Sequence, residues 1–235
     1  MTTSTTLAAI VDDNPAAARV LERHELDYCC GGQDSFDEAC ARQGLDPDQV
    51  RAEIDAVATS DEAPWTTMGP AELVDHLEAT HHRYLHDELP RLAALAEKVR
   101  DVHAERHPEL HEVATNFRAL HADLDPHLRK EEQVLFPMIR ELDGATTAPS
   151  FHCGTLNNPI RTMLMEHDQA GELLATLRRV TDGYRTPSDG CASYEALYRG
   201  LEELEADTHL HVHKENNVLF PAVLARENEL ATDAR

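Results

Sequence analysis

One motif occurs twice in this chain and constrains the fold more than any other feature of the sequence. Residues 127–137 read HLRKEEQVLFP and residues 211–221 read HVHKENNVLFP, so both copies fit the frame H-x-x-K-E-x-x-V-L-F-P. Residues four apart in a helix project from one face, so the histidine that opens each motif lies beside its glutamate. The repeat therefore predicts two matched pairs on two helices, His127 with Glu131 and His211 with Glu215.

A further histidine lies upstream of each motif at nearly the same distance, His82 before the first and His167 before the second. Imidazole nitrogen suits iron, and carboxylate oxygens are able to bridge two cations. Zinc is the main competitor, but its structural sites favour four ligands and often use thiolates. The combined set favours two iron ions inside a four-helix bundle. Its predicted ligands are His82, His127, Glu131, His167, His211 and Glu215.

Several neighbours of the predicted ligands allow other interpretations. His86 lies one helical turn after His82 and is able to face the same side, so it remains an alternative ligand. Lys130 and Lys214 directly precede the motif glutamates, and the simplest prediction is that both are solvated. A single His-x-x-x-Glu pair is usually a surface contact, whereas two copies with matched upstream histidines favour a metal site.

The positions around each motif follow the spacing of a helix face that packs against a bundle core. The histidine and the glutamate of each motif fall on this face, where leucine is expected. Burying an ionised glutamate costs several kcal/mol unless it is paired or metal-bound, which supports the metal site. The proline that ends each motif predicts a bend in its helix. The predicted core faces are Leu120, Leu124, His127, Glu131, Val134 and Met138, and Leu204, Thr208, His211, Glu215, Val218 and Ala222.

Glycine and proline fall almost entirely between helix-like stretches, and no alternating strand pattern occurs, so the chain is predicted to be all-α. A polar segment at 59–64 predicts a linker between a small helical N-terminal domain, residues 1–60, and a larger domain, residues 61–235. Four long helices joined by short loops predict an up-down-up-down bundle in the larger domain. The predicted short helices are 15–25, 35–43 and 47–59, and the long ones are 69–106, 109–141, 158–181 and 191–229.

The charge and the cysteines argue against several functions and locations. The chain has 21 Lys and Arg against 44 Asp and Glu, a net charge of −23, which disfavours binding to nucleic acid or an anionic membrane surface. No stretch is apolar for the length of a membrane span, and the N-terminus does not resemble a secretory signal. The odd number of cysteines, two of them adjacent, does not fit a secreted disulfide framework, so we expect a cytoplasmic protein.

The segment DYCCGG at residues 27–32 is the second unusual feature of the sequence. Adjacent cysteines rarely bond to each other because the ring is strained. Cys29 and Cys30 are therefore either small, partly buried residues at a helix end or a reactive or metal-binding thiol pair.

The DYCCGG segment, followed by a bundle with H-x-x-x-E and ENNVLFP, resembles the repair of iron centers (RIC) family over roughly residues 7–225. The resemblance implies a hemerythrin-like bundle holding a non-haem di-iron centre, bridged by Glu131, Glu215 and an oxo group. It also implies that Cys29 and Cys30 correspond to the family's N-terminal thiols. RIC proteins are cytoplasmic and are linked to restoring iron–sulfur clusters damaged by nitric oxide or oxidants, so damaged iron–sulfur proteins are the expected partners.

Two functions are compatible with these residues. In the first, the bundle holds labile iron that is donated to damaged clusters during nitrosative or oxidative stress. In the second, an open coordination position binds NO or O2, and the protein acts as a nitric oxide reductase, scavenger or sensor. The sequence leaves open whether the protein is an enzyme and whether it forms a homodimer.

Overall fold

The computed structural model describes residues 5–58 and 65–233, and within these ranges the chain is helical and has no β-strand, as predicted. The predicted linker at 59–64, with the predicted domain boundary, lies outside the described residues. The division into two domains therefore stays a prediction. In the part of the chain that the structure describes, no helix has the length and apolar character needed to cross a membrane.

The N-terminal segment folds into short helical elements, two of which begin at a capping side chain followed by a proline. Asn14 and Asp46 each accept a hydrogen bond from the backbone N–H two residues on, and a proline follows each cap in the first turn. The sequence pattern does not predict the first helix, which is only 7 residues long. The elements are α1 (Leu7–Asp13), a 3₁₀ turn (Pro15–Ala17), α2 (Ala18–Arg23), α3 (Phe36–Gln43) and α4 (Pro47–Asp55).

Four long helical segments form the bundle, and three of them contain a π-helical turn. A 3₁₀ turn (Trp65–Thr67) precedes the first segment. The first segment is α5 (Pro70–Leu77), a π turn (Glu78–His82) and α6 (Arg83–His103). The second is α7 (Glu109–Lys130), a π turn (Glu131–Leu135) and α8 (Phe136–Asp143). The third is α9 (Asn157–Val180), and the fourth is α10 (Ala192–His213), a π turn (Lys214–Leu219) and α11 (Phe220–Asp233).

The four segments pack in a ring, in the predicted up-down-up-down order. Helix α7 packs against α6 and α9, and α10 packs against the same two helices. Each segment therefore contacts the segments before and after it, with the first and the fourth closing the ring. This arrangement turns one face of every segment toward a common interior.

The π turns change which residues face that interior, and three predicted core positions are wrong for this reason. Val134 is 41% exposed, whereas the next residue, Leu135, is buried. Val218 is only half-buried and Leu219 is fully buried. A π turn contains one residue more than an α turn, so the inward face moves forward by one position. The predicted Ala222 is exposed for the same reason, and Val223 is buried in its place.

Two apolar clusters fill the molecule and leave a polar layer between them. One cluster contains Leu85 and Leu128 and occupies the interior of the bundle toward the loops after α6 and α9. The other contains Leu77 and Leu135 and continues without a break into the N-terminal helices. The N-terminal segment therefore docks on one end of the bundle, and the histidines and glutamates of the repeat lie between the two clusters.

A buried histidine of α10 fixes this docking. His213 is fully buried, and its Nδ1 donates a hydrogen bond of 3.1 Å to the carbonyl oxygen of Tyr28. Its Nε2 lies 3.0 Å from the carboxylate of Asp12 in α1. One side chain thus connects the bundle to both α1 and the loop that carries the adjacent cysteines.

Candidate metal centre

The three π turns lie where the motif side chains enter the bundle. Glu131 begins one π turn, Glu215 is the second residue of another, and His82 ends the third. In each repeat the predicted i, i+4 pair is formed: His127 Nε2 lies 3.3 Å from Glu131 Oε2, and His211 Nε2 lies 3.3 Å from Glu215 Oε1. Single π turns inside α-helices occur frequently at functional sites, because they redirect side chains that a regular helix would leave apart.

The structure brings all six predicted ligands together. Their ligand atoms form two groups of four, and within each group all the atoms lie within 4.8 Å of one another. Glu131 and Glu215 belong to both groups. All six residues are at most 2% exposed. One group adds His82 and His211 to the shared glutamates, and the other adds His127 and His167.

The ligand atoms of the centre fit a cation because most of them have no hydrogen-bond partner. Both carboxylate oxygens of Glu131 and of Glu215 are buried without a hydrogen bond, as are the Nε2 atoms of His82 and His211. His127 Nε2 and His167 Nε2 face each other at 3.2 Å. Ionised carboxylates are costly to bury unless they are paired or coordinate a metal. Metal ions placed between these atoms would supply the partner that each of them needs.

The electrostatics of the centre also favour positive charge. Burial lowers the pKa of His127, but the carboxylates of Glu131, Glu166 and Glu215 outweigh burial and raise the pKa to about 10. Burial likewise opposes ionisation of Glu215, but His211 and His167 hold the pKa of that carboxyl well below its usual value. The negative potential that would retain a proton on an imidazole would also attract a metal cation.

The outer nitrogens of three predicted ligands are held by residues that sequence reasoning missed. His82 Nδ1 donates to Glu132 at 3.0 Å, His127 Nδ1 to Glu166 at 3.0 Å, and His167 Nδ1 to the amide oxygen of Asn216 at 2.8 Å. Such partners fix the tautomer that leaves Nε2 free to bind a metal. Each of the three directly adjoins a predicted ligand in the sequence, which is the signal that could have identified them.

His86, the alternative ligand, is not part of the metal centre, and Lys214 of the second motif is not solvated. His86 Nε2 contacts Glu132 at 2.7 Å on the surface, and His86 joins neither group, whereas His82 does. Lys214 was expected to be solvated but is 1% exposed, so that prediction is wrong. Its Nζ lies 2.9 Å from His81 Nε2 and 4.4 Å from the ring centroid of Trp65. Trp65, which precedes the bundle, packs over Lys214, a position that the motif alone predicts to be on the surface. Lys130 is exposed, as predicted.

The adjacent cysteines lie in a loop that Asp27 holds together. The Asp27 carboxylate accepts hydrogen bonds of 3.0, 2.9 and 2.9 Å from the backbone N–H groups of Cys29, Cys30 and Gly31. Gly32 is required at the next position, because a Cβ there would lie 2.5 Å from the Tyr28 carbonyl oxygen. Cys29 is buried and Cys30 is half-buried, with their sulfurs 4.0 Å apart. The hydrogen bond with Cys30, together with burial, raises the pKa of Cys29 well above its ordinary value.

The cysteine loop contacts the two asparagines of the second motif, and one of them, Asn216, also holds a predicted ligand of the metal centre. Asn216, which holds His167, also points its Nδ2 at the Cys29 carbonyl at 3.5 Å and at the Cys30 sulfur at 4.0 Å. Asn217 Nδ2 donates to the Cys29 carbonyl at 3.0 Å. On its outer side the loop borders a cleft of about 960 Å³ between the N-terminal segment and α9. Cys30 therefore lies between this cleft and the residue that orients His167.

The fold and the site define a hemerythrin-like protein with an additional N-terminal segment. The family described as "Hemerythrin HHE cation binding domain" matches residues 73–223. The N-terminal family ScdA_N, described as "Domain of Unknown function (DUF542)", matches residues 3–58. The bundle accordingly contains a non-haem metal-binding site.

Curated relatives match almost the whole chain. The iron–sulfur cluster repair protein YtfE of Enterobacter sp. (strain 638) is 36% identical over 222 residues, covering 94% of this chain and 97% of the relative. The protein of the same name from Escherichia coli O1:K1 / APEC is 37% identical over 215 residues, covering 91% and 93%. That from Citrobacter koseri is 36% identical over 214 residues, with the same coverage. This chain belongs to the family of the bacterial YtfE proteins, which confirms the predicted resemblance.

Proposed function

We propose that this protein is a non-haem di-iron protein that repairs iron–sulfur clusters damaged by nitric oxide or oxidants, by supplying iron. The observation that carries the proposal is the pair of four-residue groups that share Glu131 and Glu215. Relatives that span nearly the whole chain have the name iron–sulfur cluster repair protein, which supports the same function.

The proposed ligand assignment follows the two groups. His82 and His211 would hold one ion, His127 and His167 would hold the other, and both glutamates would contact both ions. Iron is favoured over zinc because the set contains no thiolate and has shared carboxylates that are able to bridge two cations. Two bound iron ions would supply exchangeable iron and one-electron redox chemistry.

The cysteine loop is the proposed point of contact with the client protein. The half-buried Cys30 borders an open cleft and, through Asn216, lies close to a ligand of the proposed centre. A damaged cluster that docks in this cleft would lie beside the thiol and next to the iron store. Cys29 keeps its proton at neutral pH because of its raised pKa, so its role is to pack and orient the loop.

The test is recovery of a nitrosylated iron–sulfur enzyme incubated with the iron-loaded protein. We expect recovery with the wild type, and reduced recovery with a Cys29→Ala, Cys30→Ala double variant that keeps its iron. The control is Cys153→Ala, because this half-buried cysteine lies against Met138 and away from the cleft. Unchanged recovery with the double variant would remove the thiols from the mechanism, and no recovery with the wild type would refute repair itself.

The ligand count supports a second candidate function, binding of a diatomic gas. Each group offers four protein ligands, two of them shared, which leaves coordination positions for small molecules on an ion as large as iron. Rapid mixing of the reduced protein with NO distinguishes the outcomes. Catalytic formation of nitrous oxide would support a reductase, and a stable stoichiometric adduct would support a scavenger or sensor.

The proposed cytoplasmic location has one further support. All five cysteines are free, as expected for a compartment that keeps thiols reduced. Cell fractionation with detection of the protein in the cytosolic or the periplasmic fraction tests it directly.

A further inference from the structure

A cysteine and a histidine meet at the end of the bundle remote from the metal centre. Cys191 immediately precedes α10 and is exposed, and its sulfur lies 3.2 Å from His103 Nε2 at the end of α6. His103 lies roughly 30 Å along its helical segment from His82, by the α-helical rise per residue. Nothing in the proposed iron chemistry requires this pair.

The buried histidine is oriented toward the sulfur and has no other polar contact among the described residues. His103 is 6% exposed, its Nδ1 has no hydrogen-bond partner, and its ring packs edge-on against Tyr194. A buried N–H without an acceptor is costly, so the favoured tautomer has the proton on Nε2 and a bare Nδ1. In this tautomer the imidazole donates its one N–H to the sulfur of Cys191.

The start of α10 further stabilises negative charge on the sulfur. The helix is 22 residues long, and its first N–H groups carry the positive end of the helix dipole. The backbone N–H groups of Tyr194 and Ser193 lower the pKa of the Cys191 thiol, and Lys98 contributes in the same direction. An exposed cysteine at a helix N-terminus beside a histidine is the environment in which thiolates form and react.

We propose that Cys191 is a reactive thiolate, activated by His103, that forms mixed disulfides with low-molecular-weight disulfides. The Cys191 sulfur attacks one sulfur of the disulfide, a new S–S bond forms, and the other half leaves as a thiolate. Cys191 is oxidised and the departing half is reduced, so the disulfide itself is the oxidant and no other reagent is needed. His103 acts by stabilising the attacking thiolate.

Groups of both charge signs surround the pair of Cys191 and His103. Besides His103, α6 contributes Lys98, and the loop before α10 contributes Asp189. His107 lies between Asp189 and Glu109, at 3.0 and 3.2 Å. His107 and the two carboxylates therefore form a separate network, and His103 is the side chain that directly contacts the sulfur.

The experiment uses the iron-loaded, full-length protein with glutathione disulfide as the probe, and peptide mass spectrometry locates the mixed disulfide. A second measurement follows the rate of Cys191 alkylation by neutral iodoacetamide as a function of pH. We expect a midpoint below about 8.5, the ordinary value for a cysteine thiol. For any thiol below its pKa, each unit by which the pKa falls gives roughly tenfold more thiolate, which the weaker nucleophilicity reduces to about threefold in rate.

Variants of His103 and Cys191 test whether the histidine activates the thiol or whether exposure of the thiol alone accounts for its reaction. His103→Leu removes the donor and should lower the rate of mixed-disulfide formation at neutral pH by about threefold. His103→Gln retains an N–H donor and should restore most of the rate, and Cys191→Ser should abolish the modified peptide. A wild-type midpoint at or above about 8.5, or equal rates in wild type and His103→Leu, would overturn the proposal. If His103→Leu does not fold, the wild-type pH profile decides alone.

Discussion

The amide of Asn216 should determine how tightly the centre holds metal. It accepts a hydrogen bond of 2.8 Å from Nδ1 of His167, a side chain that is 2% exposed. Asn216→Ala removes this acceptor and leaves a buried N–H without a partner. The proton is then free to move to Nε2, the atom that faces Glu215 at 3.1 Å and that we propose binds metal.

The magnitude follows from the position of the contact. Loss of a residue that orients a metal ligand typically lowers metal affinity by about 10–100-fold. Only one of four proposed imidazole ligands is affected, so we expect the lower end, about tenfold, or about 1.4 kcal/mol.

The neighbouring asparagine offers a matched control with the same substitution. Asn217 donates to the Cys29 carbonyl at 3.0 Å and contacts none of the six proposed ligands. Anaerobic competition for Fe(II) between each variant and a chromophoric chelator measures the affinity, and circular dichroism checks the fold. We expect Asn217→Ala to bind iron like the wild type. Equal affinities for Asn216→Ala and Asn217→Ala would refute the reasoning.

Three further predictions concern stability and metal retention. Arg178→Leu should destabilise the protein by about 3–5 kcal/mol, because it leaves the buried Glu205 unpaired, whereas Arg179→Leu should cost about 0–1 kcal/mol in urea unfolding. Burial raises the pKa of Glu205, and Arg178 opposes this increase. The stability lost in Arg178→Leu should therefore grow as pH rises through that raised pKa, because the unpaired carboxyl must then ionise in a buried place. A loss of stability that shrinks with rising pH would contradict this. Gly32→Ala should lower the melting temperature because of the contact at 2.5 Å, whereas Gly171→Ala, with open space around it, should not. Protons compete with metal for the imidazoles, so bound iron should be released as pH falls well below about 6.5, and full retention at about pH 4 would argue against histidine ligands.

The repeat was sufficient to predict the metal centre because each of its His–Glu pairs joins residues that are close in the sequence. An i, i+4 pair meets on any helix, so His127 with Glu131 and His211 with Glu215 needed no knowledge of the tertiary structure. Two equal repeats in a bundle then require the two pairs to face one another. The number and order of the four bundle segments followed in the same way from proline and glycine positions and from loop lengths.

The parts that the sequence did not predict depend on longer-range structure. The π turns move the core face from Val134 to Leu135, and no residue type in the sequence indicates that a helical turn will be π rather than α. Lys214 is buried because Trp65, far away in the chain, packs over it. Asn216 differs from its counterpart in the first repeat, Glu132, yet both hold the outer nitrogen of a predicted ligand. Only the folded chain shows that equivalence.

The most direct test of the central claim is the metal content and Mössbauer spectrum of protein expressed in iron-replete cells. Glu131→Ala and Glu215→Ala are measured alongside, because both carboxylates belong to both groups. We expect two irons per chain with a coupled ferric signature in the wild type, lost in both variants. Absence of iron, or a single zinc ion that survives both substitutions, would contradict it.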